Sequence, residues 1–525
     1  MEAKIRLRDR SPDSNDPLRR YHSALEFRLN LKNSDPLLRL CSDVHVDFGN
    51  NPASKLRYKV SDPVLLSTDH TSLPFRKYFT RPFRELFDMS TPAAIRYTVP
   101  PKQASLITMK TVPAAECTLS TGNQDASEAK FLLYADQDGV VRFHVTPGAE
   151  SDGIANFVLE CNENGNIVQY PLELRPSNEP TEDHPAPTKP LESTPEGAYV
   201  RPGLSAVEAR NLTLEELSKG GYPARPDPDK SPDAFLHWAK LVSKPATFVP
   251  PHTVSRRDIS SKRPVVKLSV ATTERGIVGT EPSPNWSGFK LTSTPGTYSW
   301  VDGNWIVPSV SSYGLVGVQT YSALWVGLDG DYNDDGDLVQ AGTVQGSIVV
   351  LVTISAPGVK SPVPFEFASY YMWTEFLPQQ TTIQQVNSVP VSPDDEVYAI
   401  VTVGDGILAP NLNGPNAYFM LQNATIGKYT IVTAARGNTE VLGSQAEWIM
   451  ERLTTGFSGG TPNYTSLSEY GTATLSGAYA GNATVGTAYG NGPEIQITMV
   501  NGNDLLSTVT SLNETQMQFN WHGYS

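Results

Sequence analysis

The sequence predicts a chain made mainly of β-strands, with one large antiparallel β-sandwich in its last 245 residues. Proline and glycine, at 42 and 40 residues, exceed their usual share, and charged residues make up only 18% against about 25% in average proteins. From residue 282 onward, β-branched runs bounded by Gly, Asn and Pro recur without a long helical pattern. These runs are Ser347–Ile354, Glu396–Val403, Lys428–Thr433 and Glu494–Val500.

The first 203 residues divide by composition into three segments. Residues 1–20 are expected to lack structure, and they contain no apolar stretch that would form a secretory signal. Residues 21–175 are expected to form a β-rich domain, because short strand-like runs alternate with Asp, Gly and Asn turns, and a hairpin is predicted around Glu163–Gly165. Residues 176–203 are Pro-rich and polar, as in a linker. The strand-like runs include Phe131–Tyr134, Val140–Val145 and Asn156–Cys161.

Residues 204–280 form a distinct segment that begins with helical spacing and ends with basic residues. Thr213 and Ser231 are predicted helix N-caps, and Pro232 suits a first helical turn. The range Arg256–Arg275 carries six basic residues against two acidic ones. We therefore predict a helical and then basic leader ahead of the sandwich at 281–525.

The charge is divided unevenly between the two parts of the chain. The net charge is −14, but residues 281–525 contain five basic and twenty acidic side chains, so this part is −15 and the first 280 residues are +1. This acidity argues against nucleic acid as a partner and against a basic membrane-surface protein. No stretch of 18 apolar residues occurs, so a transmembrane helix is not expected.

Conventional catalytic and metal-binding groups are scarce in the acidic part. It has no cysteine, and its only histidine is His522. A Ser–His–Asp triad or a His/Cys zinc site would need residues from elsewhere, so carboxylates remain for acid–base chemistry. Glu447 stands out because Trp448 beside it would favour desolvation, which raises a carboxyl pKa. A strand glutamate beside a core tryptophan is the simpler interpretation of the same pattern.

Seven short blocks, in order over about 240 residues, resemble the eqolisin family of glutamic peptidases. The blocks are NWSG at Asn285–Gly288, GNWIVP at Gly303–Pro308, ALWVGLDG at Ala323–Gly330, LVQAGT at Leu338–Thr343, WTEFLP at Trp373–Pro378, AEWIME at Ala446–Glu451 and the closing Phe519–Trp521. The leader at 204–250 is also similar to one found in longer relatives. The resemblance implies a concanavalin-like sandwich and an acid-acting, pepstatin-insensitive endopeptidase with a polypeptide substrate and no cofactor.

The resemblance also implies roles for individual residues. Gln340 and Glu447 match the family's catalytic pair, in which the glutamate activates water and the glutamine stabilises the oxyanion. Trp286 and Trp325 would form walls of the cleft. Asp329 and Glu375 would lie near the catalytic pair and influence its protonation.

One stretch differs from the family pattern. Between Asp329 and Gln340 the chain has an acidic insertion, and Asp331, Asn333 and Asp335 match the first half of a calcium loop. Gly342 stands at position twelve instead of a bidentate Glu, so a solvated acidic turn is the favoured interpretation and no metal is expected.

Two other classes of function stay open on the sequence alone. One is a carbohydrate- or peptide-binding sandwich lined by Trp286, Trp305 and Trp325, and the other is a glycoside hydrolase that uses Glu375 and Glu447.

Regulation and localisation are expectations of a different kind. The basic range Arg256–Arg275 is expected to lie across the acidic cleft at neutral pH. The family suggests an extracellular location, and the sequons at Asn423 and Asn482 would suit a secretory route, although no signal peptide is visible.

Overall fold

The computed structural model describes strands within residues 2–65, and then residues 94–121, 130–148, 153–177, 197–261, 277–330, 337–352, 362–407, 409–458, 461–483 and 485–524. Strands dominate these residues, which confirms the predicted all-β class. The chain divides into two compact units, Met1–Ser90 and Thr91–Ser525. Among the described residues, no helix is long and apolar enough to cross a membrane.

The described residues of the unit Met1–Ser90 form six strands. They are β1 (Glu2–Arg8), β2 (Ala24–Asn30), β3 (Arg39–Cys41), β4 (Val44–Asp47), β5 (Arg57–Val60) and β6 (Val64–Leu65). One sheet has the order β1-β2-β3-β6, and β4 pairs with β5. Strand β1 falls in the segment expected to lack structure, and its Ile5 and Leu7 alternate with charged residues as a strand requires.

The second unit begins with a small sandwich, here called the N-terminal sandwich. Its strands are β7 (Ile95–Val99), β8 (Ser105–Lys110), β9 (Glu116–Thr121), β10 (Phe131–Tyr134), β11 (Val140–Pro147), β12 (Ala155–Glu163) and β13 (Asn166–Pro176). The predicted hairpin is confirmed, because β12 and β13 pair up to Glu163 and Asn166, with positive φ at Asn164 and Gly165. A disulfide joins Cys117 and Cys161, which lie opposite each other on β9 and β12.

The leader follows, and its described residues form three helices and three short strands. They are β14 (Tyr199–Arg201), α1 (Ala206–Asn211), α2 (Leu214–Lys219), α3 (Pro232–Val242), β15 (Ala246–Phe248) and β16 (Thr253–Ser255). Thr213 caps α2 in a capping box with Glu216, as predicted. Ser231 precedes α3, but its hydroxyl accepts a hydrogen bond from the Gly486 backbone instead of capping the helix.

The large sandwich contains twenty strands and one 3-10 turn at Tyr489–Asn491 among the described residues. The first ten are β17 (Ile277–Ser283), β18 (Trp286–Thr292), β19 (Trp300–Ile306), β20 (Gln319–Asp329), β21 (Leu338–Val352), β22 (Val363–Leu377), β23 (Gln384–Val386), β24 (Glu396–Gly406), β25 (Ala409–Pro410) and β26 (Asn416–Asn423). The others are β27 (Lys428–Ala435), β28 (Gln445–Glu451), β29 (Thr454–Ser458), β30 (Thr461–Tyr464), β31 (Ser466–Leu467), β32 (Thr472–Gly481), β33 (Gly486–Ala488), β34 (Glu494–Asn501), β35 (Asp504–Asn513) and β36 (Gln516–Trp521).

These strands form two facing sheets that share one edge. Sheet I has the order β34-β18-β28-β20-β21-β22, and every neighbouring pair in it is antiparallel. Sheet II has the order β35-β36-β32-β19-β24-β26-β27, also antiparallel throughout. The β34–β35 hairpin connects the sheets, so the predicted large antiparallel sandwich is confirmed.

The core of the large sandwich lies between the two sheets. Alternate residues of each strand point into it, and they are almost completely buried. Sheet I contributes Phe289, Leu324, Val326 and Trp448, and sheet II contributes Val401, Phe419, Leu475 and Phe519. Because these positions alternate, the intervening residues of sheet I lie on its other face, here called the outer face.

The strands β21 and β22 are each fifteen residues long and belong to two cores at once. Near Gln340 they form part of sheet I, whereas farther along β22 pairs with β11 of the N-terminal sandwich through Phe365–Ala368. Phe365 and Phe367 contact the Phe157 ring edge to face, at centroid distances of 5.5 and 5.0 Å. The N-terminal sandwich therefore shares a hairpin with the large one.

The leader packs on the outside of sheet II. Leu217, Phe235 and Trp238 form one buried cluster with Met420 and Tyr429 of that sheet. At its edge the buried Arg201 guanidinium lies 4.4 Å from the Tyr429 ring centroid and donates to Gln422 Oε1 at 3.0 Å. Strand β15 adds to β27 in parallel, so the leader extends sheet II.

Candidate functional site

A row of directly paired residues crosses the outer face of sheet I. In strand order it reads Lys290, Glu447, Gly327, Gln340 and Glu375, each opposite the next. The neighbours of these residues along the chain point into the core, so all four side chains of the row lie on the outer face. The two residues expected to be catalytic are thus brought onto one face of one sheet.

Glycine separates the two expected catalytic residues. Glu447 and Gln340 lie on either side of Gly327, so their backbones are two strand spacings apart, about 10 Å. A Cβ at Gly327 would lie 2.8 Å from the Trp325 ring and 3.3 Å from Gln340 Cβ. The Trp325 ring therefore covers Gly327, and the missing side chain is what makes room for this ring between the strands that carry the amide and the carboxylate.

The Glu447 carboxylate lies against the backbone of the loop that follows β20. A Cβ built on Gly330 would be 3.2 Å from Glu447 Oε2 and 3.5 Å from Oε1. Gly330 also has a φ of 122°, a conformation that favours glycine. Glu447 itself is only 1% exposed, so its position is tightly defined by these neighbours.

Gln340 is held by Glu375. The Gln340 Nε2 atom donates to Glu375 Oε2 at 3.0 Å, and both side chains are completely buried. Gln340 Oε1 has no hydrogen-bond partner among the described residues. Glu375 therefore orients the amide and uses one of its two N–H bonds, which leaves the other for a ligand.

Asp329 stabilises the start of strand β28 instead of facing the space between Glu447 and Gln340. Its carboxylate accepts hydrogen bonds from the backbone N–H groups of Gly443, Ser444 and Gln445 at 2.6, 2.7 and 3.1 Å. Burial raises its pKa, and these three donors act against that shift. Burial and the neighbouring Asp329 raise the pKa of Asp337 to about 8, so one proton is shared between two carboxyl groups at the ends of the acidic insertion.

Aromatic side chains cover the outer face beside the row. Trp286 and Trp325 meet edge to face with centroids 5.1 Å apart, and both belong to one buried cluster with Trp373. Trp325 Nε1 donates to Glu451 Oε2 at 2.9 Å. The two predicted tryptophans therefore lie next to the row. Trp373 and Glu451 also lie there, and the sequence predicted no role for either, although both belong to the blocks that resemble the family.

The leader reaches the same face. Ile259 is 3% exposed and belongs to the cluster that contains Trp286 and Trp325. The Ser261 hydroxyl lies 2.9 and 2.7 Å from the two carboxylate oxygens of Glu451, which is four residues beyond Glu447 on β28. Residues 253–261 thus run beside the candidate site, and residues 262–276, with the rest of the basic range, lie outside the described residues.

Arg256 anchors this part of the leader. It is 1% exposed, and it binds Asp258 through two nitrogens at 2.7 and 2.6 Å and Gln385 at 3.0 Å. Its guanidinium also lies 5.0 Å from the Tyr371 ring centroid and 5.2 Å from that of Tyr134 in the N-terminal sandwich. Arg256 therefore joins three parts of the second unit.

Two features weaken the other functions left open by the sequence. Trp305 is in the core between the sheets, where its Nε1 donates to Thr343 at 3.0 Å, so it cannot line a cleft with Trp286 and Trp325. The backbones of Glu447 and Glu375 are three strand spacings apart, about 14 Å, and Gln340 lies between them. A glycoside hydrolase needs two carboxyl groups that both face the sugar, about 5–9.5 Å apart, whereas the Glu375 carboxylate accepts a hydrogen bond from the intervening Gln340 amide.

The partial calcium-loop match and the sequons can be compared with the structure only in part. Asp331, Asn333 and Asp335 lie outside the described residues, and the described part of the chain has no cluster of three or more His, Cys, Asp or Glu that could hold a metal. The Asn423 sequon is unsuited to a glycan in the folded chain. The side chain is completely buried and donates to Pro390 O and Asp395 Oδ2 at 2.9 and 2.8 Å.

The basic end of the row was not expected from the sequence. Lys290 lies opposite Glu447 and is 5% exposed, and its Nζ is 3.0 Å from Glu281 Oε2. A single lysine within a strand has no distinctive sequence signal. The one sequence feature that could have drawn attention to Lys290 is the small number of basic residues, five, among residues 281–525.

Comparison with known proteins gives one family match. Residues 284–521 match the family model of the Peptidase A4 family. No curated protein sequence matches the chain.

Three solved structures are similar, each over 46% of this chain and 98% of its own. They are scytalido-glutamic peptidase with a transition state analog inhibitor (16% identity, TM-score 0.35), the same peptidase with a peptide-based transition state analog (16%, 0.34), and SCP-B, a member of the eqolisin family, in a complex with the tripeptide Ala-Ile-His (15%, 0.33).

Proposed function

We propose that this chain, whose residues 284–521 match the Peptidase A4 family model, is an acid-acting endopeptidase that cuts peptide bonds with Glu447 and Gln340. The observation that carries the assignment is the row on sheet I, where the carboxylate and the amide lie on one face on either side of Gly327. Water and a scissile carbonyl would bind on that face, in contact with both groups.

The chemistry needs only these two side chains. Glu447, as a carboxylate, takes a proton from water while the water oxygen attacks the peptide carbonyl carbon. The free N–H of the Gln340 amide donates to the oxygen that becomes negative, an interaction typically worth about 2.7–4 kcal/mol in such sites. The protonated Glu447 then gives its proton to the departing nitrogen as the C–N bond breaks.

Two supporting roles follow from the contacts described above. Glu375 fixes the orientation of the Gln340 amide through the 3.0 Å hydrogen bond. Asp329 fixes residues 443–445 and hence the start of the strand that carries Glu447. Trp286 and Trp325 would contact the substrate on one side of the pair.

Cleavage of denatured casein in acid tests the assignment. Glu447→Gln should lose roughly 10³-fold in kcat/KM or more, because the base is removed, and Gln340→Ala roughly 10²–10³-fold. Glu366→Gln is the matched control, since Glu366 is a buried carboxyl group on β22 that bonds Ser312 outside the row. Full activity in both site variants would rule out the proposed pair, and inhibition by pepstatin would indicate a different acid peptidase.

We also propose that the basic leader, Arg256–Arg275, restrains the peptidase at neutral pH and is cut after acidification. The contacts of Ile259 and Ser261 on the outer face support this, because they bring the leader beside Glu447. Acidifying purified full-length protein should raise activity together with the appearance of two bands on a denaturing gel. Full activity of an uncut chain would contradict this role.

An oxidising compartment is the third part of the proposal. The buried cross-strand pair Cys117–Cys161 forms a disulfide, and such bonds persist mainly outside the cytosol. This supports the extracellular location that the family resemblance suggests.

A further inference from the structure

The row on sheet I ends in a buried positive charge. Lys290 on β18 is directly opposite Glu447 on β28, and directly opposed side chains in antiparallel strands have Cβ atoms about 4.5–5.5 Å apart. Only 5% of Lys290 is exposed, so water screens its charge poorly. Lys290 therefore places a weakly screened positive charge on the same face as the proposed catalytic carboxylate, one strand away.

The partner of Lys290 comes from a strand outside the family match. Glu281 on β17 accepts a hydrogen bond from Lys290 Nζ at 3.0 Å, and its side chain is 4% exposed. Strand β17 runs parallel to β34, which in turn pairs with β18, so Glu281 reaches Lys290 across one intervening strand. This leaves the lysine between two carboxylates, Glu281 on one side and Glu447 on the other.

The other described groups around Glu447 are neutral or acidic. Gln340 and Glu375 face it from β21 and β22, Glu451 lies farther along its own strand, and Asp329 and Asp337 lie beyond Gly330. Two arginines lie near the same face, but each has its own partner. Arg256 is paired with Asp258, and Arg452 lies over the Tyr464 ring at 4.8 Å. Within the described residues, Lys290 is thus the one cation in the row.

A structural role alone is a poor explanation for this pair. Removing two charges from water costs free energy that their attraction only partly returns, and apolar replacements of buried ion pairs are often as stable or more so. The surroundings on the outer face, with Ile449 and Ile497 close by, would accommodate an apolar side chain.

We propose that Lys290 is a positioning residue for catalysis that keeps Glu447 ionised in acid, and that Glu281 moderates this effect. The inference rests on the proposed function, because it gives Glu447 the role of general base. A carboxylate between four acidic neighbours would take up a proton as the pH falls and would no longer activate water. The lysine charge opposes that uptake and so extends activity to lower pH.

The experiment compares pH profiles of kcat/KM for casein-derived peptides in the full chain. Lys290→Met keeps the length of the side chain and removes its charge, so the acidic limb should move up by about one pH unit. Glu281→Gln removes the moderating carboxylate, so the limb should move down. Lys290→Arg keeps the charge and should restore the wild-type limb.

Opposite shifts separate this role from a general loss of stability, which would lower activity in both variants without moving the limbs apart. Limbs that coincide in all variants, or that move in the same direction, would overturn the proposal. If Lys290→Met does not fold, the shift of the acidic limb in Glu281→Gln still tests the proposal. A fully active Glu447→Gln would overturn the proposed function itself, whereas its inactivity with unmoved limbs would overturn only the role of Lys290.

Discussion

Gly330 shows how much one missing side chain matters at the site. Its φ of 122° and the 3.2 Å from its Cβ position to Glu447 Oε2 are two separate reasons for glycine there. Gly296 has the first property alone, with a φ of 91° and open space around its Cβ position. The two residues therefore form a matched pair for experiment.

We predict that Gly330→Ala lowers kcat/KM roughly 10- to 100-fold, because a small displacement of a catalytic group is costly. Gly296→Ala should show a similar loss of stability, from the strained backbone, with activity close to wild type. Thermal melts and casein cleavage measure the two effects. Equal activities in the two variants would mean that Gly330 does not define the Glu447 position.

At the residue scale, the sequence predicted the proposed catalytic pair but not the ion pair beside it. Glu447 and Gln340 lie in short blocks whose order along the chain is informative. Lys290 and Glu281 are nine positions apart, yet they meet only because β34 inserts between their strands. No local pattern contains that information.

At the scale of elements, strand β21 also shows where local sequence patterns fail to predict the structure. The β-branched run predicted a strand from Ser347, whereas the strand begins at Leu338. Its first half carries Gln340 and Gly342 on the outer face, so the polar and small residues of the site interrupt the apolar pattern that marks a strand. The part of the strand that carries the proposed site was therefore the part with the weaker strand signal in the sequence.

The shared β21–β22 hairpin leads to a prediction about size. The described contacts of β11, Phe157 and the leader helices join residues 94–261 to the large sandwich. Each large apolar side chain buried there contributes roughly 1.5–3 kcal/mol. A chain cut between residues 262 and 276 should therefore stay one particle in native size-exclusion chromatography while it gives two bands on a denaturing gel.

A recognition sequence for a site-specific protease, placed after Lys267, makes that cut independent of the chain's own activity. Phe365→Ala should let the pieces separate at a lower urea concentration, because it opens a cavity in the shared core. Leu351→Ala on the neighbouring strand is the control, since Leu351 is 48% exposed. Native separation of the wild-type pieces would contradict the prediction.

For the whole molecule, buried titratable groups set how stability changes with pH. Burial raises the pKa of Glu366 and Glu494 to about 7 and that of Asp302 well above its usual range. Burial lowers the pKa of His144 and His237 to about 4. The carboxyl groups favour the folded state below their raised pKa values, and the histidines oppose it as the pH falls from about 6.5 to 4.

With Asp329 and Asp337, whose pKa values burial also raises, and His252, whose pKa burial lowers, five carboxyl groups stand against three histidines. This balance predicts a net gain in stability as the pH falls from about 7 to 4.5. Melting temperatures over that range measure it. Glu366→Gln should be more stable than wild type at pH 8, by at most about 3 kcal/mol, and the difference should vanish near pH 4.5. A constant difference across the range would show that Glu366 does not titrate as described.

The large acidic sandwich was predictable from composition and strand patterns, but its union with the N-terminal sandwich was not. Strands β11 and β22 are more than 200 residues apart in the chain, and no sequence pattern encodes such a distant pairing. The charge count gave only the total excess of acidic side chains, whereas the buried carboxyl groups with raised pKa values identify where in the fold a gain of stability in acid would arise.

The hairpin of β21 and β22 also limits how this protein can be rearranged. A domain joined by a flexible linker can be exchanged at that linker. Here, however, the backbone pairing of β21 with β22 continues without interruption from Gln340 to Phe367, which contacts Phe157 of the N-terminal sandwich. An exchange of the N-terminal sandwich would have to include the far half of that hairpin, residues 347–367, or leave its apolar face in water. We therefore expect the N-terminal sandwich and the proposed active site to be exchanged or retained together.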